Sequence, residues 1–162
     1  SSNTRTEKPN ATAIKMVKTA TANRAGRLSV EISSMRIHGI GTDIVECLRI
    51  AQMIERHGEL FIGRVYTQHE IDYCSKRRAA TQHYAGRWAA KEAVLKALGT
   101  GWVKGISWRD VEVRNEKGGK PIIALAGGAR DRCEQVGITE MQISISHCRS
   151  HATAYALAVC GE

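Results

Sequence analysis

No run of apolar residues in this chain of 162 is long enough to span a membrane, and the N-terminal segment lacks the apolar core of a secretory leader. Cysteine is sparse and unpatterned. Cys47, Cys74, Cys133, Cys148 and Cys160 are odd in number and form no CxxC and no Cys/His pair at zinc spacing, so a reduced, cytoplasmic setting is expected. There is no internal repeat and no shift of composition after residue 36, and the length suits one ordinary domain with its own core.

Acidic residues are in deficit, and the deficit is unevenly placed. The net charge of +8 splits equally, with six Lys/Arg against two Glu in residues 1–35 and eighteen against fourteen acids in residues 36–162. Residues 1–35, rich in Ser, Thr, Ala and Asn, read as a basic and mostly disordered extension. The composition is faintly like an organelle transit peptide, but Met35 would serve as a start, and a misplaced start or lineage-specific extension is the preferred expectation.

Strand and helix signals follow in order. Residues 36–42 read as a strand entering a tight glycine turn, and Glu46 to His57 as a helix with Leu48, Ile50, Ala51 and Ile54 as core. Thr67 and Glu70 have capping-box spacing for a short helix to about Lys76, and Tyr84 to Leu98 is the main helix. Ser107–Asn115 and Pro121–Leu125 form a hairpin turned at 116–120. Ala129–Val136 is a short helix, and Met141–Ser146 and Ala152–Cys160 make a last hairpin joined by 148–151. The sum is α+β, with helices in the first half packed on an antiparallel sheet.

Two carboxylates stand out against their surroundings. Asp43 closes an apolar, glycine-spaced run (Ile37, Ile40, Ile44, Val45), and Glu92 lies in an alanine-rich helix between Trp88 and Leu95. Carboxylates near apolar surface are costly unless paired or metal-bound. Singly, Asp43 suits a helix cap and Glu92 an i,i+4 pair with Lys96. On a helical wheel, Tyr84, Trp88 and Leu95 make a bulky stripe and Ala85, Gly86, Ala89, Ala90, Ala93 and Ala97 a small face. Arg87 with Lys91 and Glu92 with Lys96 flank the bulky stripe rather than opposing it. That pattern suits a cleft for an anion and a hard metal ion. Mg²⁺ takes oxygen ligands and is commonly shared between one or two carboxylates and substrate phosphates.

GIGTDIVECLRI (39–50), AGRWAAKEAVLKALGTG (85–101), GGKP (118–121) and SISH (144–147), in this order and spacing, resemble the bacterial holo-acyl carrier protein synthases, the small phosphopantetheinyl transferases. The resemblance spans nearly all of residues 36–160. It implies a compact α+β subunit forming a homotrimer with active sites at subunit interfaces. The implied reaction is Mg²⁺-dependent transfer of phosphopantetheine from coenzyme A to a serine of an acidic apo acyl carrier protein, with release of adenosine 3′,5′-bisphosphate, in support of fatty acid biosynthesis. By the same resemblance, Asp43 and Glu92 hold the metal and Lys96 meets the coenzyme A phosphates. Arg87, the Gly118, Gly119, Lys120, Pro121 turn and His147 contact the nucleotide end. Arg49, Met53, Arg56, Phe61 and Arg64 face the carrier. The serine proton goes to a metal-bound water or to one of the carboxylates. Cys148, where relatives often have a hydroxyl residue, and Thr42, where an apolar residue is common, depart from the pattern.

Three rivals have less support. A pI near 9.5 invites a nucleic-acid-binding reading, but half of the excess charge is in the extension, and Trp88, Trp102 and Trp108 are not interleaved with basic residues. A nonenzymatic coenzyme A- or carrier-binding subunit would not need the Asp43, Glu92, Lys96 set. The larger transferases that carry the fold twice need a longer chain.

Overall fold

The computed structural model describes residues 18–22, 28–32, 35–101 and 105–161, and the chain divides into two units, 1–34 and 35–162. In the first unit, strands β1 (Lys18–Ala22) and β2 (Leu28–Ile32) pair antiparallel, Lys18 opposite Ile32. The expectation of a disordered extension otherwise falls on residues outside the described ones.

The second unit runs β3 (Arg36–Glu46), α1 (Cys47–Val65), α2 (Gln68–Ser75), α3 (Ala80–Ala97), a 3-10 turn at Trp108–Asp110, β4 (Val111–Asn115), β5 (Pro121–Leu125), α4 (Gly127–Val136), β6 (Ile138–His147) and β7 (His151–Cys160). It is α+β, with an antiparallel sheet in the order β3-β7-β6 and a separate β4–β5 hairpin. The first strand of the unit therefore pairs along its length with the last, Arg36 opposite Cys160 and Glu46 opposite His151.

The glycines of β3 correct the sequence reading. The strand does not turn at residue 42 but continues through Asp43 to Glu46, and neither Gly39 nor Gly41 has a positive φ. A Cβ on Gly39 would come within 2.2 Å of the Ala97 carbonyl oxygen, and one on Gly41 within 1.8 Å of that of Ala93. These glycines are there so that the backbone of α3 can lie directly on the strand.

The small face of α3 meets its match in the sheet. Ala85, Ala89, Ala93 and Ala97 are fully or almost fully buried, as are Ala152, Ala154, Ala156 and Ala158 of β7. Small side chains on both sides bring helix and sheet close. Rigid backbone then positions what α3 carries beside this face.

Helix α1 also departs from expectation. It breaks at Gly58, with φ 54° and ψ −135°, but a second helical piece continues to Val65. Ile50 is buried as expected, whereas Leu48 is 64 % exposed. Two residues from Ile50 is about 200° around a helix, so Leu48 falls on the outer face.

A buried ion pair ties the helices to the hairpin. Glu70 completes the expected capping box with Thr67, accepting the Thr67 N–H at 2.9 Å. It also meets Lys91 Nζ at 2.8 Å and accepts the Val113 N–H at 3.0 Å, with both charged side chains fully buried. Lys91 donates further to the carbonyls of Trp108 and Val111. Burial pushes the Lys91 ammonium below its usual range, partly opposed by Glu70. The wheel had shown Lys91 only as a flanking charge.

Candidate active site

Along β3, Gly41 and Val45 are buried while Ile40, Thr42, Ile44 and Glu46 are exposed. Asp43 belongs to the inward row by the two-residue period of a strand, so its carboxylate lies beside α3 and not in open solvent. Its side chain is 17 % exposed. Lys96 crosses from α3 to donate to Asp43 Oδ1 at 2.9 Å and to the Thr42 carbonyl at 2.8 Å. Glu92, half-buried, precedes Lys96 by one helical turn on the same helix. From the other flank, the Thr153 hydroxyl donates to the Asp43 carbonyl at 2.9 Å and fixes the strand there. Of the two bland alternatives, the helix cap is excluded: the N-cap of α1 is Glu46, without a side-chain cap bond.

The residues expected at the nucleotide end lie on α3, the β4–β5 turn and the end of β6. Arg87 is 4 % exposed, stacked 3.9 Å over the Tyr73 ring, and donates to Asn115 Oδ1 at 2.8 Å. Asn115 in turn donates to the Gly119 carbonyl at 3.0 Å, so Arg87 braces the Gly118–Pro121 segment, exposed at Gly118 to Lys120, from inside. The turn closes between Glu116 and Lys120, and Gly119 takes a φ of 89°, which a side chain would resist. His147, exposed at the end of β6, lies edge-on to His83 with ring centroids 5.3 Å apart. Burial first, then the nearby His147, Arg87 and Arg77, push His83 below the usual histidine value. Next to this group is a groove lined by His69, Asp72, Tyr73, Lys76 and Arg77. Arg77 and His83 pack on the Tyr73 ring, His147 on His83, and Lys76 and Asp72 line the groove, a predominantly basic group with the chemistry of an anion site. Sequence reasoning missed Tyr73, His83 and Asn115, since no spacing signal joins α2, α3 and β4.

The two groups do not meet. His83 and Lys96 are thirteen residues apart on α3, about 20 Å along the axis.

On α1, Arg49, Arg56 and Arg64 are exposed and Met53 is half-buried. Phe61, expected as an apolar anchor for the carrier, is 8 % exposed and packs its ring 5.9 Å from Trp88 and 6.2 Å from Tyr66. The neighbouring Leu60 is 85 % exposed. A helical turn that must bury Val65 and Phe61 together leaves Leu60 outside.

Among the described residues, no group of three or more His, Cys, Asp or Glu side chains could hold a metal, and no helix is long and apolar enough to cross a membrane. Asp43 and Glu92 are the carboxylates expected from the sequence to hold a metal.

The comparisons agree with this architecture. A family model described as the 4′-phosphopantetheinyl transferase superfamily matches residues 39–160. A holo-[acyl-carrier-protein] synthase of Rhodopirellula baltica is 47 % identical over 121 residues, covering 75 % of this chain and 96 % of the relative. The crystal structure of the synthase from Neisseria meningitidis superposes with a TM-score of 0.70 at 33 % identity, over 76 % of this chain and 98 % of that one. The Helicobacter pylori synthase, solved in complex with coenzyme A, gives a TM-score of 0.66 at 30 % identity over 74 % and 98 %. With a buried-row aspartate bridged to the main helix, and with these relatives matched over nearly their full length, the chain belongs to the holo-[acyl-carrier-protein] synthases of the 4′-phosphopantetheinyl transferase superfamily and is an enzyme of that class.

Proposed function

We propose that this enzyme transfers 4′-phosphopantetheine from coenzyme A to a serine of an acidic apo acyl carrier protein, with Mg²⁺ held between Asp43 and Glu92, and so serves fatty acid biosynthesis in the cytoplasm. The observation that carries the reading is Asp43 in the inward row of β3, bridged to Lys96 one turn beyond Glu92. Two carboxylates suit Mg²⁺, which completes its shell with water and phosphate oxygens. When bound, that ion supplies charge neutralisation at the pyrophosphate.

The chain's own residues do the remaining work. Lys96 is half exposed and stands at Asp43, placed to swing onto a phosphate oxygen and offset the charge that grows on the departing nucleotide. The carboxylates of Asp43 and Glu92 are the groups of this set able to take the serine proton. Arg87 acts indirectly, holding the Gly118–Pro121 turn through Asn115, while Lys120 of that turn and His147 are exposed and available to phosphate. Positioning and charge neutralisation are what such a transfer chiefly needs.

A homotrimer with interfacial sites fits two observations. The outer face of the main sheet leaves Ile40, Ile44 and Tyr155 more than half exposed, an apolar face of the kind that subunits cover. The anion group and the carboxylate pair, far apart on one α3, become one site if a neighbouring subunit supplies the other half. A reduced compartment suits the five free cysteines.

The deciding experiment is incubation with apo acyl carrier protein, coenzyme A and Mg²⁺, with a chelator control and the carrier's intact mass as readout. A Mg²⁺-dependent gain of one phosphopantetheine is expected. No gain on a carrier that another transferase modifies would reject the reading.

A further inference from the structure

The five free cysteines are not equivalent. Burial pushes the Cys74 thiol up to about 12 and raises that of Cys133, so both stay protonated and inert. Cys160 is buried at the end of β7. Cys148 alone of the five is exposed, in the turn joining β6 to β7. That turn holds it firmly: its N–H donates to the His151 carbonyl at 2.8 Å, and its sulfur lies 3.4 Å from Ser150 Oγ. Hydrogen bonds from the Ser150 hydroxyl and from the His151 and Ser150 amides hold the thiol below the ordinary cysteine range, which favours thiolate at an accessible position.

Cys47, the first residue of α1, reaches the same turn from 101 positions away. Its N–H donates to the Ser150 carbonyl at 2.8 Å, and its Sγ lies 3.9 Å from the Cys148 carbonyl oxygen. Its thiol is raised by burial first and by the proximity of Cys148 second. Arg78 and Arg149 line the groove beside it. A disulfide tolerates Cα separations up to about 7 Å, and the two segments are already joined by contacts from both the backbone and the side chain of Cys47. Rotation of the exposed Cys148 side chain away from Ser150 Oγ is the main movement required.

We propose that Cys148 and Cys47 form a reversible oxidation site, in which Cys148 meets a peroxide and Cys47 resolves the product into an intrachain disulfide. The Cys148 thiolate attacks a peroxide oxygen. The O–O bond breaks, hydroxide leaves and the sulfur becomes a sulfenic acid. Cys47 sulfur then attacks the sulfenic sulfur; the S–S bond forms, the S–O bond breaks, and water departs with the Cys47 proton. Both sulfurs are oxidised and the peroxide is reduced, and a dithiol reverses the change. The crosslink fastens the turn that follows His147 to the first turn of α1, two residues before Arg49.

The test exposes the reduced full chain to a few equivalents of hydrogen peroxide and maps its peptides without reduction. A Cys47–Cys148 peptide lacking two hydrogens and lost on dithiothreitol treatment is expected, with Cys74 and Cys133 still free thiols. In Cys47→Ser, dimedone is expected to trap sulfenic acid at Cys148 at least about tenfold faster than at any other thiol. In Cys148→Ser, the same peroxide dose leaves Cys47 unoxidised. Near-ultraviolet circular dichroism of the two variants checks their folding. The proposal is overturned if the linked peptide never forms while Cys148 passes to sulfinic acid or pairs with Cys148 of a second copy. Equal oxidation of Cys47 in Cys148→Ser also overturns it.

Discussion

Lys96 Nζ stands 2.9 Å from Asp43 Oδ1 with half of the lysine side chain in solvent, so a cation already occupies one oxygen of the inward carboxylate of β3. An ion pair this exposed contributes about 0–1 kcal/mol to stability. On the proposed reading, incoming ligands displace it at little cost and the lysine follows the phosphates. Lys96→Ala is expected to leave the thermal midpoint nearly unchanged and to lower kcat about 10²-fold at saturating coenzyme A. Steady-state rates beside melting curves check this, and full turnover in the variant would remove Lys96 from the reaction.

Asp43→Asn and Glu92→Gln keep shape and remove charge. Each is expected to cut turnover by about 10²-fold or more and to raise the Mg²⁺ concentration for half-maximal rate, with little change in the far-ultraviolet spectrum. The check is a Mg²⁺ titration of rate for the native chain and both variants. If both retain the native Mg²⁺ dependence, the metal lies elsewhere.

Much of this site was legible in the chain itself, for a physical reason. Asp43 and Glu92 violate the local patterns of strand and helix, and a violated pattern is visible without coordinates. The capping box of Thr67 and Glu70 was legible because it spans only three residues. What spacing cannot show is a side chain whose purpose is set by a distant partner. The Glu70–Lys91 pair, the Arg87–Asn115 link and the His83–His147 contact join residues 21, 28 and 64 positions apart, and no local propensity encodes them. Gly39 and Gly41 were seen but misread as a turn, because glycine signals freedom and close approach with the same letter. Phe61 was misplaced for a similar reason: helical spacing gives a face but does not say which face a kinked helix turns inward.

Gly41 provides a direct test of that close approach. An added methyl would lie 1.8 Å from the Ala93 carbonyl oxygen and 2.7 Å from the Ala97 nitrogen, both backbone atoms that cannot rotate away. Gly41→Ala is expected to destabilise the fold by about 3 kcal/mol or more, as an overpacking change in a rigid core. Moving α3 off β3 also separates Lys96 from Asp43, so activity should fall at temperatures where the variant remains folded. Denaturant unfolding provides the measurement, and a midpoint shift of under about 1 kcal/mol would contradict the backbone contact.

His83 makes stability depend on mild acid. Its folded value lies below the usual 6.5, through burial and the neighbouring His147, Arg87 and Arg77. Between 6.5 and that lower folded value the unfolded chain binds the proton and the folded chain does not. The His83 contribution is thus full above 6.5 and is lost as pH falls through the folded value. Denaturant midpoints should drop from pH 7.5 to pH 5.5, and His83→Gln should reduce that drop. An identical pH slope in the variant would assign the acid sensitivity to other groups.

The carrier surface proposed on α1 would rest on charge more than on the aromatic anchor first expected. Arg49, Arg56 and Arg64 are exposed, while Phe61 spends its ring on Trp88 and Tyr66. Long-range attraction between these arginines and an acidic carrier would act chiefly on association and would weaken with salt. Arg49→Glu is expected to weaken carrier binding at least about tenfold at low ionic strength, with the coenzyme A affinity unchanged. Phe61→Ala, in contrast, is expected to cost about 3 kcal/mol of stability, because it empties a core position. Carrier titrations at two salt concentrations separate the effects. Native carrier affinity in Arg49→Glu at low salt would move the docking surface away from this helix.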